Sequence, residues 1–120
     1  MTEVSLDDAA GALKVHPRTV LRTLQGNVKA YWAPGYNPPV NAAEIALAYN
    51  VELDVLNSVL KGKDELFSLA EASDYLTITY DVKISQFMVR SHKYPVAVKT
   101  RGVVRYSRKQ ISRHYVETMA

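Results

Sequence analysis

A chain of 120 residues with 48% hydrophobic content holds one ordinary domain or two very small ones, and extended disorder is excluded. No apolar run approaches the roughly 20 residues of a membrane span. The absence of cysteine removes disulfides, thiol catalysis and Cys-based zinc sites. The formal net charge is +3, but it is unevenly spread. Residues 1–63 carry six basic and six acidic side chains. The nine basic residues that follow all lie between Lys83 and Arg113, a span with no Asp or Glu. One sign of charge over so long a stretch points to a polyanionic partner. The acidic opening, Met1 to Ala10, lacks the layout of a signal peptide, so the expected location is a bacterial or infected-host cytoplasm.

The first helix is signalled at Val4-Ser5-Leu6-Asp7-Asp8-Ala9-Ala10-Gly11-Ala12-Leu13. An offset of 63 brings it onto Phe67-Ser68-Leu69-Ala70-Glu71-Ala72-Ser73-Asp74-Tyr75-Leu76. Ser5 with Asp8, and Ser68 with Glu71, have the spacing of a helix N-cap and its third-position acid. Val4 and Phe67 are placed as hydrophobic staples. Leu6, Ala9, Ala10 and Leu13 share one helical face, as do Leu69, Ala72, Ser73 and Leu76. The repeat therefore divides the chain into domains 1–63 and 64–120.

In the first domain Lys14-Val15-His16 reads as a tight turn, with Pro17 suited to a first helical position and a helix to Gln25 before Gly26-Asn27. Val20 and Leu24 face inward, leaving Arg18, Thr19, Arg22 and Thr23 outward. His16, in the turn, reads as a DNA contact or a cap. The segment Tyr31 to Val40, with three prolines and one glycine, reads as a rigid loop whose aromatics close a small core. Asn41 then caps a helix over 42–50, and a second helix follows over 51–61. That pair resembles a Cro-type helix-turn-helix, but its outward Glu52 and Asp54 would be repelled by phosphates. Lys61-Gly62-Lys63-Asp64 is the linker candidate, and its shortness implies a nearly fixed relation between the domains.

In the second domain Thr77 to Asp81 reads as the turn, longer than in the first. Asp81 would cap a helix over 82–90, with Ile84, Phe87 and Met88 inward and Lys83, Ser85, Gln86 and Arg90 outward. Lys93 follows. Two β-branched runs, Val96 to Val98 and Val103 to Tyr106, then flank Lys99-Thr100-Arg101-Gly102, the signature of a hairpin with Gly102 at positive φ. Val98 and Val104, or their neighbours, are placed to pack on the helices, and Lys99, Arg101 and Arg105 project. Ser107-Arg108-Lys109-Gln110 has the spacing of another capping box, opening a last basic helix.

The order of helix, turn, helix, basic hairpin and helix resembles the excisionase and MerR-type winged helix-turn-helix families. The resemblance covers most of 66–116 and rests on three stretches: Leu69 to Leu76, Tyr94-Pro95-Val96-Ala97-Val98, and Val104 to Ile111. Ala9 to Arg22 is similar to the helix-turn-helix of the same families, which then occur here in tandem. The implied fold is mainly α, two tandem helix-turn-helix domains, the second winged by a small β-hairpin. The resemblance places Lys83, Ser85, Gln86 and Arg90 in a major groove. It places Lys99, Thr100, Arg101 and Arg105 on the wing, with Lys93 and Arg108 beside them. His16, Arg18, Thr19, Arg22 and Thr23 form a second reading head.

The expected function is a sequence-specific, double-stranded-DNA-binding transcriptional regulator, a phage or mobile-element repressor by resemblance. One chain would read an asymmetric site with two different helices. A recombination directionality factor (excisionase), a small-terminase-type DNA recogniser and an adaptor that binds an acidic protein are the alternatives. Enzymatic function is not expected. His16, His92 and His114 are scattered, no Gly-rich phosphate loop occurs, and no metal, cofactor or small-molecule ligand is implied.

Overall fold

Seven helices and five short strands make up the regular structure of the described residues, 3–24, 32–100 and 102–119, in the computed structural model. The fold is mainly helical with small antiparallel sheets. It forms two units, Met1–Lys63 and Asp64–Ala120. Among the described residues no helix is long and apolar enough to cross a membrane.

The first unit opens with strand β1, Glu3–Ser5, and helix α1, Leu6–Leu13. Ser5 caps the helix by accepting from the Asp8 N–H at 3.1 Å. All four apolar positions of its inner face, Leu6, Ala9, Ala10 and Leu13, are buried. Lys14 ends the helix in the left-handed region (φ 59°), and the Val15 N–H closes back on the Ala10 carbonyl at 3.0 Å. This closure satisfies end carbonyls that a straight continuation would leave open. Helix α2, Pro17–Leu24, begins at the proline and buries Val20 and Leu21.

The aromatic loop folds back onto the start of α1. Asn37 Oδ1 accepts from the Asp7 N–H at 2.7 Å, and the Pro38 carbonyl from the Leu6 N–H at 2.9 Å. Pro34-Gly35 forms a turn closed by Tyr36 N–H to Ala33 O, with Gly35 at φ 90°, where a side chain would be strained. Tyr31 lies outside the described residues. Strand β2, Pro39–Asn41, then pairs antiparallel with β1, setting Val40 opposite Val4. Asn41 caps helix α3, Ala42–Ala48, through Oδ1 to the Ala43 and Glu44 N–H groups. Helix α4, Leu53–Leu60, follows; α4 packs on α1 and α3 packs on α2.

The second unit repeats this plan. Strand β3, Leu66–Phe67, leads into helix α5, Leu69–Tyr80, through a full capping box between Ser68 and Glu71. Val4 and Phe67 are therefore strand residues as well as neighbours of a cap, a role hidden in strands only two or three residues long. Helix α5 runs through the expected turn: Thr77, Ile78, Thr79 and Tyr80 are helical, one turn more than in α1. Asp81 (φ 52°) ends α5 and does not cap the next helix. That helix, α6, spans only Gln86–Ser91, and its cap is Ser85, accepting from the Met88 N–H at 3.2 Å.

Strands β4, Val98–Thr100, and β5, Val103–Ser107, form the expected hairpin, with Gly102 at φ 75°. Strand β5 also pairs with β3, giving a sheet of order β3-β5-β4. Val98 and Val103 face the core, whereas Val104 is exposed. The reason lies in the register, which sets Lys99 opposite Val104 and turns that pair outward. The last helix, α7, Arg108–Thr118, is capped by Ser107. Phe67, Leu76, Ile84, Val89, Tyr94, Tyr106 and Ile111 join β3, α5, α6, β5 and α7 in one core.

Asp64 corrects the linker assignment, because its side chain belongs to the second unit. It is buried; Oδ2 accepts from Ser107 Oγ at 2.6 Å and Oδ1 from the Glu65 and Lys109 N–H groups at 2.7 and 3.2 Å. A carboxylate at the first turn of α7 satisfies donors the helix cannot satisfy itself.

Candidate nucleic-acid interface

The geometry of the second unit starts from two hydroxyls on α5. Ser73 Oγ donates to the Ile84 carbonyl at 2.6 Å. Thr77 Oγ1 donates to the same carbonyl and accepts from the Ile84 N–H, both at 3.1 Å. Together they clamp the five-residue turn before α6, with Ile84 buried beneath it. Behind α6, Val89 fills the core and the Val89 carbonyl receives the Tyr94 N–H at 3.3 Å. The first residue of the clamp looked like a small core residue and the second like part of a turn. A serine-to-threonine spacing of one helical turn on a buried face was the signal available.

This support leaves Lys83, Ser85, Gln86, Phe87 and Arg90 exposed. Lys83 precedes the helix, and Ser85 uses its oxygen as the cap, so Gln86 and Arg90 are the only expected readers on α6 itself. Phe87 corrects its inward assignment, since 70% of it is exposed. The physical cause is the shift of the helix start from 82 to 86, which makes Val89 the buried position of the helix. Lys93 sits just past the end of α6 at φ 58°, exposed, where a cation complements the carbonyl end of a helix.

On the hairpin, Lys99 is exposed and Thr100 is half-buried. Arg105 is half-buried, with Nη1 donating to the Val104 carbonyl at 2.8 Å. Arg101 lies outside the described residues. Arg108, half-buried, opens α7 and donates its N–H to the Glu65 carbonyl. Burial pushes the Tyr106 phenol up, and the nearby Arg90 guanidinium offsets part of that rise.

In the first unit Arg18 and Arg22 are exposed on α2 and Thr19 is half-buried. Thr23 is turned toward its own unit: Oγ1 donates to the Thr19 carbonyl at 2.8 Å and accepts from Tyr49 Oη at 3.1 Å. His16 acts as the cap of α2, its Nδ1 accepting from the Arg18 N–H at 3.0 Å. Trp32 packs edge-on against the imidazole at 4.7 Å. A groove of about 390 Å³ lies elsewhere in this unit, lined by Ala43, Ala46, Leu47, Val51 and Leu53, with Glu52 at its edge.

A second histidine is also structural. His114 Nε2 lies 3.1 Å from the His92 carbonyl, and its ring packs on Tyr94. Among the described residues no three His, Cys, Asp or Glu side chains gather as metal ligands. Comparison with protein-family models, with curated proteins and with solved structures finds no match to this chain.

Proposed function

We propose that the chain is a sequence-specific binder of double-stranded DNA, built from two diverged helix-turn-helix units, the second winged. One observation carries this reading. A short helix clamped at its start presents Gln86 and Arg90 outward, and its inner side shares a core with a hairpin bearing Lys99 and Arg105. No carboxylate interrupts the surrounding sequence from 83 to 113. Amide and guanidinium groups match base edges in a major groove, while hairpin cations match phosphates. The proposed chemistry is that of a binding module.

In this reading α5 and α6 form the helix-turn-helix and β4–β5 the wing. Helices α1 and α2 form the second one, with Arg18, Thr19 and Arg22 as its reading face. Unequal reading faces favour an asymmetric site occupied by one chain. The biological role that fits a small two-headed reader is repression in a phage or mobile element.

Selection from a random duplex pool tests the core of the proposal. A non-palindromic enriched motif is the expected result, with affinity falling steeply as salt rises. Retention of an acidic protein with no duplex preference would replace DNA by the adaptor reading. A palindromic motif bound by a symmetric dimer would overturn the single-chain arrangement. Promoter repression without any effect on integrase-dependent excision separates the repressor from an excisionase.

A further inference from the structure

We infer that Phe87 is a specificity-determining residue that reads a thymine through its C5-methyl group. The inference rests on the DNA-binding reading above and deepens it, since nothing in the polar chemistry of Gln86 and Arg90 requires an aromatic beside them. Phe87 lies two positions before the buried Val89, so about 200° of helical rotation separates them. Val89 is 1% exposed and Phe87 70%. Phe87 thus points almost directly away from the core, at the centre of the outward face.

Single exposed apolar side chains are common and by themselves carry no message. Here the setting does. The side chains sharing the outer face of α6 with Phe87 are Gln86, Arg90 and Ser91, all exposed, and Lys83 precedes them. A protein partner seeking apolar contact would meet a cationic, strongly hydrated rim. A DNA major groove instead offers phosphates to the cations and one apolar feature on its floor, the thymine methyl. The Ser73 and Thr77 clamp on Ile84 fixes the turn three residues before Phe87, so the ring is presented from a rigid start. A six-residue helix has few outward positions, and placing an aromatic at the central one shapes the site toward that methyl.

The test replaces each thymine of the selected duplex in turn by deoxyuridine, which removes the methyl and leaves the base-pairing edge unchanged. Wild type and Phe87→Ala are titrated against every duplex, with far-UV circular dichroism as the control for folding. The expected result is one position where deoxyuridine weakens wild type by roughly five- to tenfold. Phe87→Ala should lose a similar factor on the thymine duplex and be indifferent to deoxyuridine at that position. Phe87→Leu, which keeps apolar bulk, should retain part of the sensitivity. Deoxyuridine sensitivity that survives unchanged in Phe87→Ala overturns the inference. So does a uniform loss on all duplexes together with loss of DNA bending, because that would make Phe87 a wedge between base steps. An enriched motif without coupling to Phe87 sinks this inference alone, whereas no enriched motif at all sinks the DNA reading with it.

Discussion

The two units run through the same elements but commit their polar groups differently. Each has a strand, a serine-capped helix, a turn opened by a left-handed non-glycine residue, a second helix, a returning strand and a further capped helix. The pairings correspond: Glu3 opposite Asn41 matches Leu66 opposite Ser107, and Val4 opposite Val40 matches Phe67 opposite Tyr106. In the first unit the helix after the returning strand is capped by half-buried Asn41. In the second it is capped by fully buried Ser107, backed by the buried Asp64 carboxylate. The first unit adds one helix, α4, with Glu52 and Asp54 exposed at its start, and the second adds a basic hairpin and one extra turn of α5. A shared frame thus carries two different surfaces, and the frame is tied down most firmly where the cations gather.

The largest expected effect breaks that difference at its root. Asp64→Ala strips three acceptor contacts from a buried site and leaves the Ser107 hydroxyl without its partner. A loss of about 3 kcal/mol in urea unfolding is expected. Asn41→Ala, at the corresponding cap of the first unit, should cost only about 1 kcal/mol, because its oxygen serves N–H groups that water can reach. Equal losses would mean that the buried carboxylate adds nothing to the second cap.

The next effect concerns the surfaces. If the second unit supplies most of the affinity, Arg90→Ala should weaken binding to the selected duplex by about 2 kcal/mol. Arg22→Ala should cost less and relax preference at different base pairs. Lys99→Ala should lower affinity for all duplexes by a similar factor and reduce the salt slope by roughly one. A larger loss from Arg22→Ala than from Arg90→Ala would invert the proposed division between the units.

Much of this frame is legible in the sequence. The Ser-to-acid spacing located both first helices, Pro17 located the start of α2, and the Lys-Thr-Arg-Gly tip located the hairpin. What escaped has physical causes. Strands β1, β2 and β3 are too short for alternation to register, so Val4 and Phe67 looked only like staples. The end of α5 is obscured because threonine and isoleucine at 77–79 have modest helix propensity, which the bonds of Thr77 to Ile84 and the packing of Tyr80 on the core offset. That one-turn error propagated: it turned Asp81 into a cap, lengthened α6 and sent Phe87 inward. The clamp formed by Ser73 and Thr77 needed the correct helix length before it could be seen, and the orientation of α6 depends on it. Arg18, Arg22, Gln86 and Arg90 were placed outward correctly because the helical period alone decides them. Thr23 was not: its hydroxyl is shared with Tyr49, a partner 26 residues away that no local pattern reveals.

The smallest effect distinguishes the two units through their buried phenols. Tyr49 in the first is pushed up by burial, against which its bond to Thr23 acts; Tyr94 in the second is pushed up by burial and by its neighbours Tyr115 and Tyr80. Both pKa values lie above the ordinary 10.0, so the folded chain holds these protons more tightly than the unfolded one. Below that value both states are neutral and the stabilisation is complete. As pH rises past 10 the unfolded state releases its protons first, and stability falls until the folded-state values are passed. Tyr94 Oη is buried and meets no hydrogen-bonding partner among the described residues. Tyr94→Phe should therefore cost nothing near neutral pH, whereas Tyr49→Phe should lose about 1 kcal/mol with its bond to Thr23. Each variant should flatten part of the alkaline decline seen in unfolding curves between pH 9 and 11, because neither can ionise in the unfolded chain. A Tyr94→Phe variant that is clearly less stable at neutral pH would show that this hydroxyl has found a partner, and the contrast between the two phenols would disappear.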